Sequence, residues 1–337
     1  MKIFLTYDYE LFFGSKPGTV KNSIIRPVKK LLKIADLYNI NYNFFVDVGY
    51  LIKLNELTNK KNKISLKQDF NSIYNNLKLL MTKGHDLQLH IHPHWEDSTY
   101  HNDTWKLNTS KYRLHEFDNI DIINIITKYK NFLEEIKEDK ISAFRAGGWS
   151  IQPFNLIKQG LIKNDILIDS TVFKGGYYNS NYQYYNFKST PNKDYWKFEN
   201  DPLKEDKEGK FIELPISSIK LSPRFYIYYS LIKLLKLKHH KPFGDGNPIQ
   251  PSSKNILNFF TKSSISPVSL DGFKSKYILN SVIENQKLFG QQNSIFVAIG
   301  HPKAQTNYSL KNLEKFIRNN RNEEFFTYDY FLKYIKK

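Results

Sequence analysis

The stretch GHDLQLHIHPHW, at 84–95, sets His90, His92 and His94 within five positions of a chain that contains nine histidines and no cysteine. A metal bound to such a chain must be held by His, Asp or Glu. Leu87, Leu89 and Ile91 alternate with Gln88, His90 and His92. That is the period of a strand, so His90 and His92 project from one face. Pro93 ends the ladder and lets His94 fold back towards them. TYDYE, at 6–10, adds two acids at the same spacing, with Asp8 and Glu10 on one face and Tyr7 and Tyr9 on the other. Neighbouring carboxylates repel unless a metal or a shared proton lies between them. Two histidines and one carboxylate form the open three-ligand arrangement of a catalytic metal site, with a position left for water.

Two further motifs supply groups such a site needs. AFRAGGWS, at 143–150, offers Arg145, which could pin a carboxylate and keep it ionised, followed by glycines that permit close backbone approach. AIGHP, at 298–302, sets His301 just past a strongly apolar run, where a general acid is well placed. The letters TYDY return at 327–330, followed by FLKYIKK without a second acid two residues on. That copy reads as aromatic packing of a terminal segment, with Asp329 as a turn or cap residue.

The elements that position these motifs alternate regularly. KIFLT (2–6), INYNFFVDV (40–48), DLQLHIH (86–92), ISAFRAGG (141–148), ILIDSTV (166–172), FIELPIS (211–217) and IFVAIGHP (295–302) read as strands. Helical spacing runs through 23–38, 70–84, 120–137, 153–160 and 312–320. Strand and helix in this rhythm predict an α/β fold, a parallel sheet or a distorted, incomplete (β/α) barrel with helices outside. The stretch at about 173–212, rich in Tyr, Asn and charge, is expected to leave that frame as a loop or hairpin. The formal net charge is +17, but the lysines are scattered, without a dense Arg cluster or basic-aromatic ladder. No nucleic-acid partner is expected. The first residues, MKIFLTYDYELFF, lack the pattern of a signal peptide, and no window reaches the apolar length of a spanning helix. The expected protein is soluble and cytoplasmic.

In order and spacing the motifs resemble the polysaccharide deacetylases of carbohydrate esterase family four. That family carries an acidic motif on its first strand, GHxxxxHxxxH, an arginine segment, a further acidic motif and a late strand ending in histidine. TYDYE, GHDLQLHIHPH, FRAGGWS, LIDSTV and GHP match them here, from residue 3 to about 304. The resemblance implies one domain over 1–337 that removes an N-acetyl group from an amino sugar with the help of a divalent metal. It implies His90 and His94 as the metal-binding pair, Asp8 as base, Arg145 as the residue that orients it, and His301 as general acid. Asp169 corresponds to the acid that tunes that histidine. The family has two adjacent acids, whereas here Tyr9 intervenes. Glu10 is therefore assigned to the metal and Asp8 to the base, with the exchanged roles left open.

Zinc is the expected ion, although two histidines and a carboxylate also suit cobalt, manganese or nickel. His92, Trp95, Trp149 and Tyr178 are expected to face substrate. Tyr177, Tyr178, Tyr182, Tyr184, Tyr185, Tyr195 and Trp196 could form a glycan-binding wall or a separately packed hairpin. The expected substrate is a glycan or an activated amino sugar, nucleotide-linked or lipid-linked, made for a surface polysaccharide. RFYIYYSLIKLLKLKHHKPF, at 224–243, reads either as a core helix with snorkelling lysines or as a peripheral contact with the inner membrane face. Two rival readings are an amidohydrolase-type metal barrel, whose His-x-His belongs on a first strand, and a non-catalytic glycan-binding or membrane-associated protein.

Overall fold

The first apolar run becomes strand β1, Lys2–Tyr9, buried along its whole length. The computed structural model describes residues 1–61, 63–180, 182–249, 258–290 and 294–335. The principal sheet continues with β2 (Asn43–Asp47), β3 (Asp86–Ile91), β4 (Ala143–Ala146), β5 (Ile168–Asp169), β6 (Trp196–Phe198), β7 (Phe211–Glu213), β8 (Ile295–Gly300) and β9 (Glu324–Phe325). Its order is β6-β7-β5-β4-β3-β2-β1-β8, with β9 beside the start of β1. All these pairings are parallel except β6 with β7. The chain just past β7 is tied to the opposite edge strand, β8, by single hydrogen bonds instead of a ladder. The Ser217 N–H, just after β7, donates to Val297 of β8, and Val268 donates to Ser217. The result is the distorted, incomplete barrel expected from the alternation of elements.

Helices α1 (Arg26–Tyr38), α2 (Val48–Lys61), α3 (Ile64–Thr82), α4 (Asn119–Lys137) and α5 (Asn155–Lys163) cover the outside of this sheet. Helix α2 is absent from the sequence reading because its apolar residues follow no clear stripe. Gly84 ends the turn after α3 in a left-handed conformation, φ +80°, that glycine adopts without strain. The outward side of β1 is aromatic. Tyr7 meets Tyr42 and Phe44, and the Tyr9 hydroxyl donates to Asn76 of α3. The inward side is therefore left to Thr6, Asp8 and Glu10.

The segment at about 173–212, of which Asn181 lies outside the described residues, only partly leaves the sheet. Tyr177–Asn179 and Tyr184–Asn186 form the expected hairpin. Trp196, expected in a glycan wall, is instead buried in β6 and donates to the Pro202 carbonyl. The excursion closes earlier than expected because β6 pairs with β7 and extends the main sheet.

Helices α6 (Pro223–Leu234), α7 (Ile278–Phe289), α8 (Asn307–Asn319) and α9 (Tyr328–Ile335) complete the chain. The second TYDY opens α9. Tyr328 packs on Phe4 and Phe45 and donates to Ser170 Oγ at 2.7 Å. Asp329 does more than cap a turn. Its carboxylate lies 2.8 Å from Lys137 Nζ, which also contacts Asp86 at 3.0 Å. This network joins α4, β3 and α9 at the end of the barrel remote from the histidines.

Lys137 is the only cation between these two acids among the described residues. Lys137→Met leaves Asp86 and Asp329 facing one another, and chemical denaturation is expected to show a loss of about 3 kcal/mol. Stability equal to that of the parent chain would contradict this role.

Candidate active site

Asp8 and Glu10 emerge together at the carboxyl end of β1, both nearly inaccessible to solvent. Their burial is tolerated because each meets different cations. Arg145 NH1 lies 2.7 Å from Asp8 Oδ1 and 3.0 Å from Thr6 Oγ1. The rest of the guanidinium is fixed from behind, with Nε donating to the Ser170 carbonyl at 2.7 Å and the Phe45 ring 3.9 Å below. Register explains the meeting. Asp8 sits opposite Phe45, and Asp47, His90 and Arg145 form a row across β2, β3 and β4.

Glu10 faces the histidines. Its Oε2 lies 3.1 Å from His90 Nε2 and 2.7 Å from His92 Nε2, while Lys303 Nζ donates to Oε1 at 2.8 Å. Burial opposes ionisation of Glu10, but Lys303 and the imidazoles hold its carboxyl well below the usual range. Burial also works against a charged His90, yet Asp8 and Glu10 raise it to about 8. Burial lowers His92 to about 4.

The cluster contains His92 where His94 was expected. Ligand atoms of Glu10, His90 and His92 lie within 4.8 Å of one another. His92 follows β3 in the strand's own period, so it stays on the face of His90. Pro93 opens a short 3-10 turn, Pro93–Trp95, that carries His94 away. The His94 ring sits between Phe13 and Tyr112, both of its nitrogens without a hydrogen-bond partner. Trp95, expected to face substrate, is fully buried and donates to Asp47 Oδ2 at 2.7 Å. Gly147 makes room for His92, since a Cβ there would stand 2.5 Å from His92 Nδ1.

His301 follows β8 and turns its Nε2 towards the acids, 3.7 Å from Asp8 Oδ2 and from Glu10 Oε1. Its other nitrogen donates to Asp271 Oδ2 at 2.9 Å, and its backbone N–H donates to the same oxygen. Despite burial, the hydrogen bond and charge of Asp271 raise the His301 pKa. Asp169 was expected in this position and is elsewhere. It is in register with Phe144, one residue off the row of Arg145, and accepts from Thr171 Oγ1 at 2.6 Å. Asp271 and Lys303 escaped the sequence reading. Asp271 lies in a loop without periodic pattern, and Lys303 is one of 50 basic residues, marked only by its place two residues after His301.

Asp8, Glu10, His90, His92, Arg145, His301 and Lys303 line a cleft of about 290 Å³ with Trp149 on its wall. Trp149, His301 and Ala304 also border a second cavity of about 1230 Å³, to which Tyr178 and Tyr185 contribute. Of the residues expected to face substrate, His92 thus joins the ligand cluster, Trp149 lines both spaces and Tyr178 lines the larger one.

The donors fit a divalent cation. His90 Nδ1–H donates to the Arg145 carbonyl at 2.9 Å, so that loss of the Nε2 proton would turn a lone pair towards Glu10. Two imidazoles and a carboxylate, with further space in the cleft, match an open zinc-type site.

No protein-family model matches the chain, and no curated protein matches it. Among solved structures, a protein from Mycobacterium smegmatis assigned as a polysaccharide deacetylase shares 14% identity over 95% of this chain and 83% of its own, with a TM-score of 0.47. The PuuE allantoinase shares 10% identity over 97% of this chain and 86% of its own, with a TM-score of 0.49. The Bc1960 peptidoglycan N-acetylglucosamine deacetylase shares 14% identity over 51% of this chain and 57% of its own, with a TM-score of 0.32.

Metal analysis of purified protein is expected to find about one divalent ion per chain, lost in His90→Ala and in His92→Ala and kept in His94→Ala. Retention in His92→Ala together with loss in His94→Ala would reverse the assignment. Because His90 must shed its proton to bind, zinc affinity is expected to rise with pH up to about 8. Titration calorimetry at several pH values measures this slope, and a flat profile would contradict it.

Proposed function

We propose that this protein is a metal-dependent hydrolase that removes an acetyl group from the nitrogen of an amino sugar. One observation carries the reading. A three-donor cluster, a carboxylate held by a buried arginine and a histidine held by an aspartate all open into one cleft.

Glu10, His90 and His92 would hold the ion, with zinc the best match to the donors. When bound, a divalent cation supplies a Lewis acid that polarises the acetamido carbonyl and makes nearby water easier to deprotonate. Asp8 accepts the proton of the attacking water. Arg145 donates to the Asp8 carboxylate and fixes its orientation, and the contacts of the guanidinium with Ser170 and Phe45 prevent it from turning away. His301 gives its Nε2 proton to the sugar nitrogen as the C–N bond breaks, releasing acetate and a free amine. Asp271 fixes the imidazole so that Nε2 is the nitrogen facing the cleft. The expected role in building a surface polysaccharide, with the sugar on a nucleotide or lipid carrier, belongs to the same proposal. The larger cavity supports it, since aromatic residues and lysines line the space next to His301.

Acetate release from N-acetylated amino sugars tests the reaction. Asp8→Asn is expected to lower kcat roughly 100- to 10,000-fold, and full activity in that variant would refute the role of Asp8 as base. Asp271→Asn removes the group that raises the His301 pKa, so the alkaline limb of the kcat profile should move to lower pH. An unmoved limb would show that His301 is not the acid.

A further inference from the structure

Helix α6 is apolar on both sides, yet among the described residues only one side is covered. Phe225, Tyr226, Tyr229 and Ile232 face the large aromatic cavity. Ile227, Tyr228, Leu231, Leu234 and Leu235 recur at helical spacing on the other side and stand in solvent. Their exposure reaches 56% at Tyr228, 65% at Leu235 and 76% at Leu234. The core-helix reading of this stretch therefore fails. Contiguous exposed apolar surface of this kind marks an interaction site.

Charge identifies the occupant. No Asp or Glu occurs between Glu213 and Asp245, while Lys220, Arg224, Lys233, Lys236, Lys238 and Lys241 all fall within that span. Arg224, Lys236, Lys238 and Lys241 are exposed, and the three lysines also line the large cavity that the helix walls. A helix with large apolar side chains flanked by cations without acids complements an anionic lipid surface, where the stripe enters the acyl boundary and the cations meet headgroups. Among the described residues no helix is long and apolar enough to cross a membrane, so such a contact would be peripheral.

We propose that α6 and the residues up to Lys241 dock the protein on an anionic bilayer. The face lies on the outer side of the helix that walls the cavity leading to His301, so docking brings that cavity close to the lipid surface. This inference stands apart from the catalytic reading, because binding is measured without substrate.

Cosedimentation of the full chain with vesicles tests it. Strong binding is expected to phosphatidylcholine vesicles carrying about one third phosphatidylglycerol, weak binding to phosphatidylcholine alone, and weakening by salt. The double variant Leu231→Asp, Leu234→Asp should lose binding at least tenfold, with thermal unfolding unchanged because both positions are exposed. Lys236→Glu with Lys238→Glu should do the same and decides the question if the first variant folds poorly. Absence of binding would overturn the proposal. So would equal binding to both vesicle types, or parental binding by the charge variant, which would trace attraction to the scattered charge of the chain.

Discussion

Two carboxylates two residues apart on one buried strand face are the constraint on which this structure turns. Neither Asp8 nor Glu10 could remain ionised in the barrel interior without compensation. The compensation is divided, with Arg145 on Asp8 and Lys303 with two imidazoles on Glu10. That division gives chemically equivalent groups unequal roles. In the proposed reaction the carboxylate tied to a guanidinium through one oxygen uses the other for a proton, whereas the one surrounded by imidazole nitrogens would share a cation with them.

The fold exists around this arrangement. Parallel strands put the ends of β1, β3, β4 and β8 at one rim, and register sets Asp47, His90 and Arg145 in one row. The aromatic outer face of β1 anchors the strand against β2 and α3, so its inner face can carry charge. Below Arg145, buried Asp169 and Glu213 lie side by side, and burial raises both, Glu213 well above the usual range.

Short apolar runs alternating with helical patterns mark β1, β3, β4 and β8 in the sequence, and the strand period gives the inward pairing of Asp8 with Glu10 and the shared face of His90 and His92. His94 lies outside the cluster because the strand period does not continue past Pro93, where a turn carries its ring to between Phe13 and Tyr112. Asp271 was out of reach for a different reason. A loop residue that matters only through a partner thirty positions away leaves no periodic trace, and the acid chosen in its place, Asp169, belonged to a strand whose register could not be known. The second TYDY packs a terminal segment as its sequence suggested, but the pairing of Asp329 with Lys137 depends on how a terminal helix docks, and no local pattern encodes that.

Anomalous diffraction from crystals grown with zinc tests the central claim most directly. The account predicts one strong peak among Glu10, His90 Nε2 and His92 Nε2, at about 2.0–2.2 Å from each donor atom. A peak at His94, or no ordered ion between β1 and β3, would contradict it.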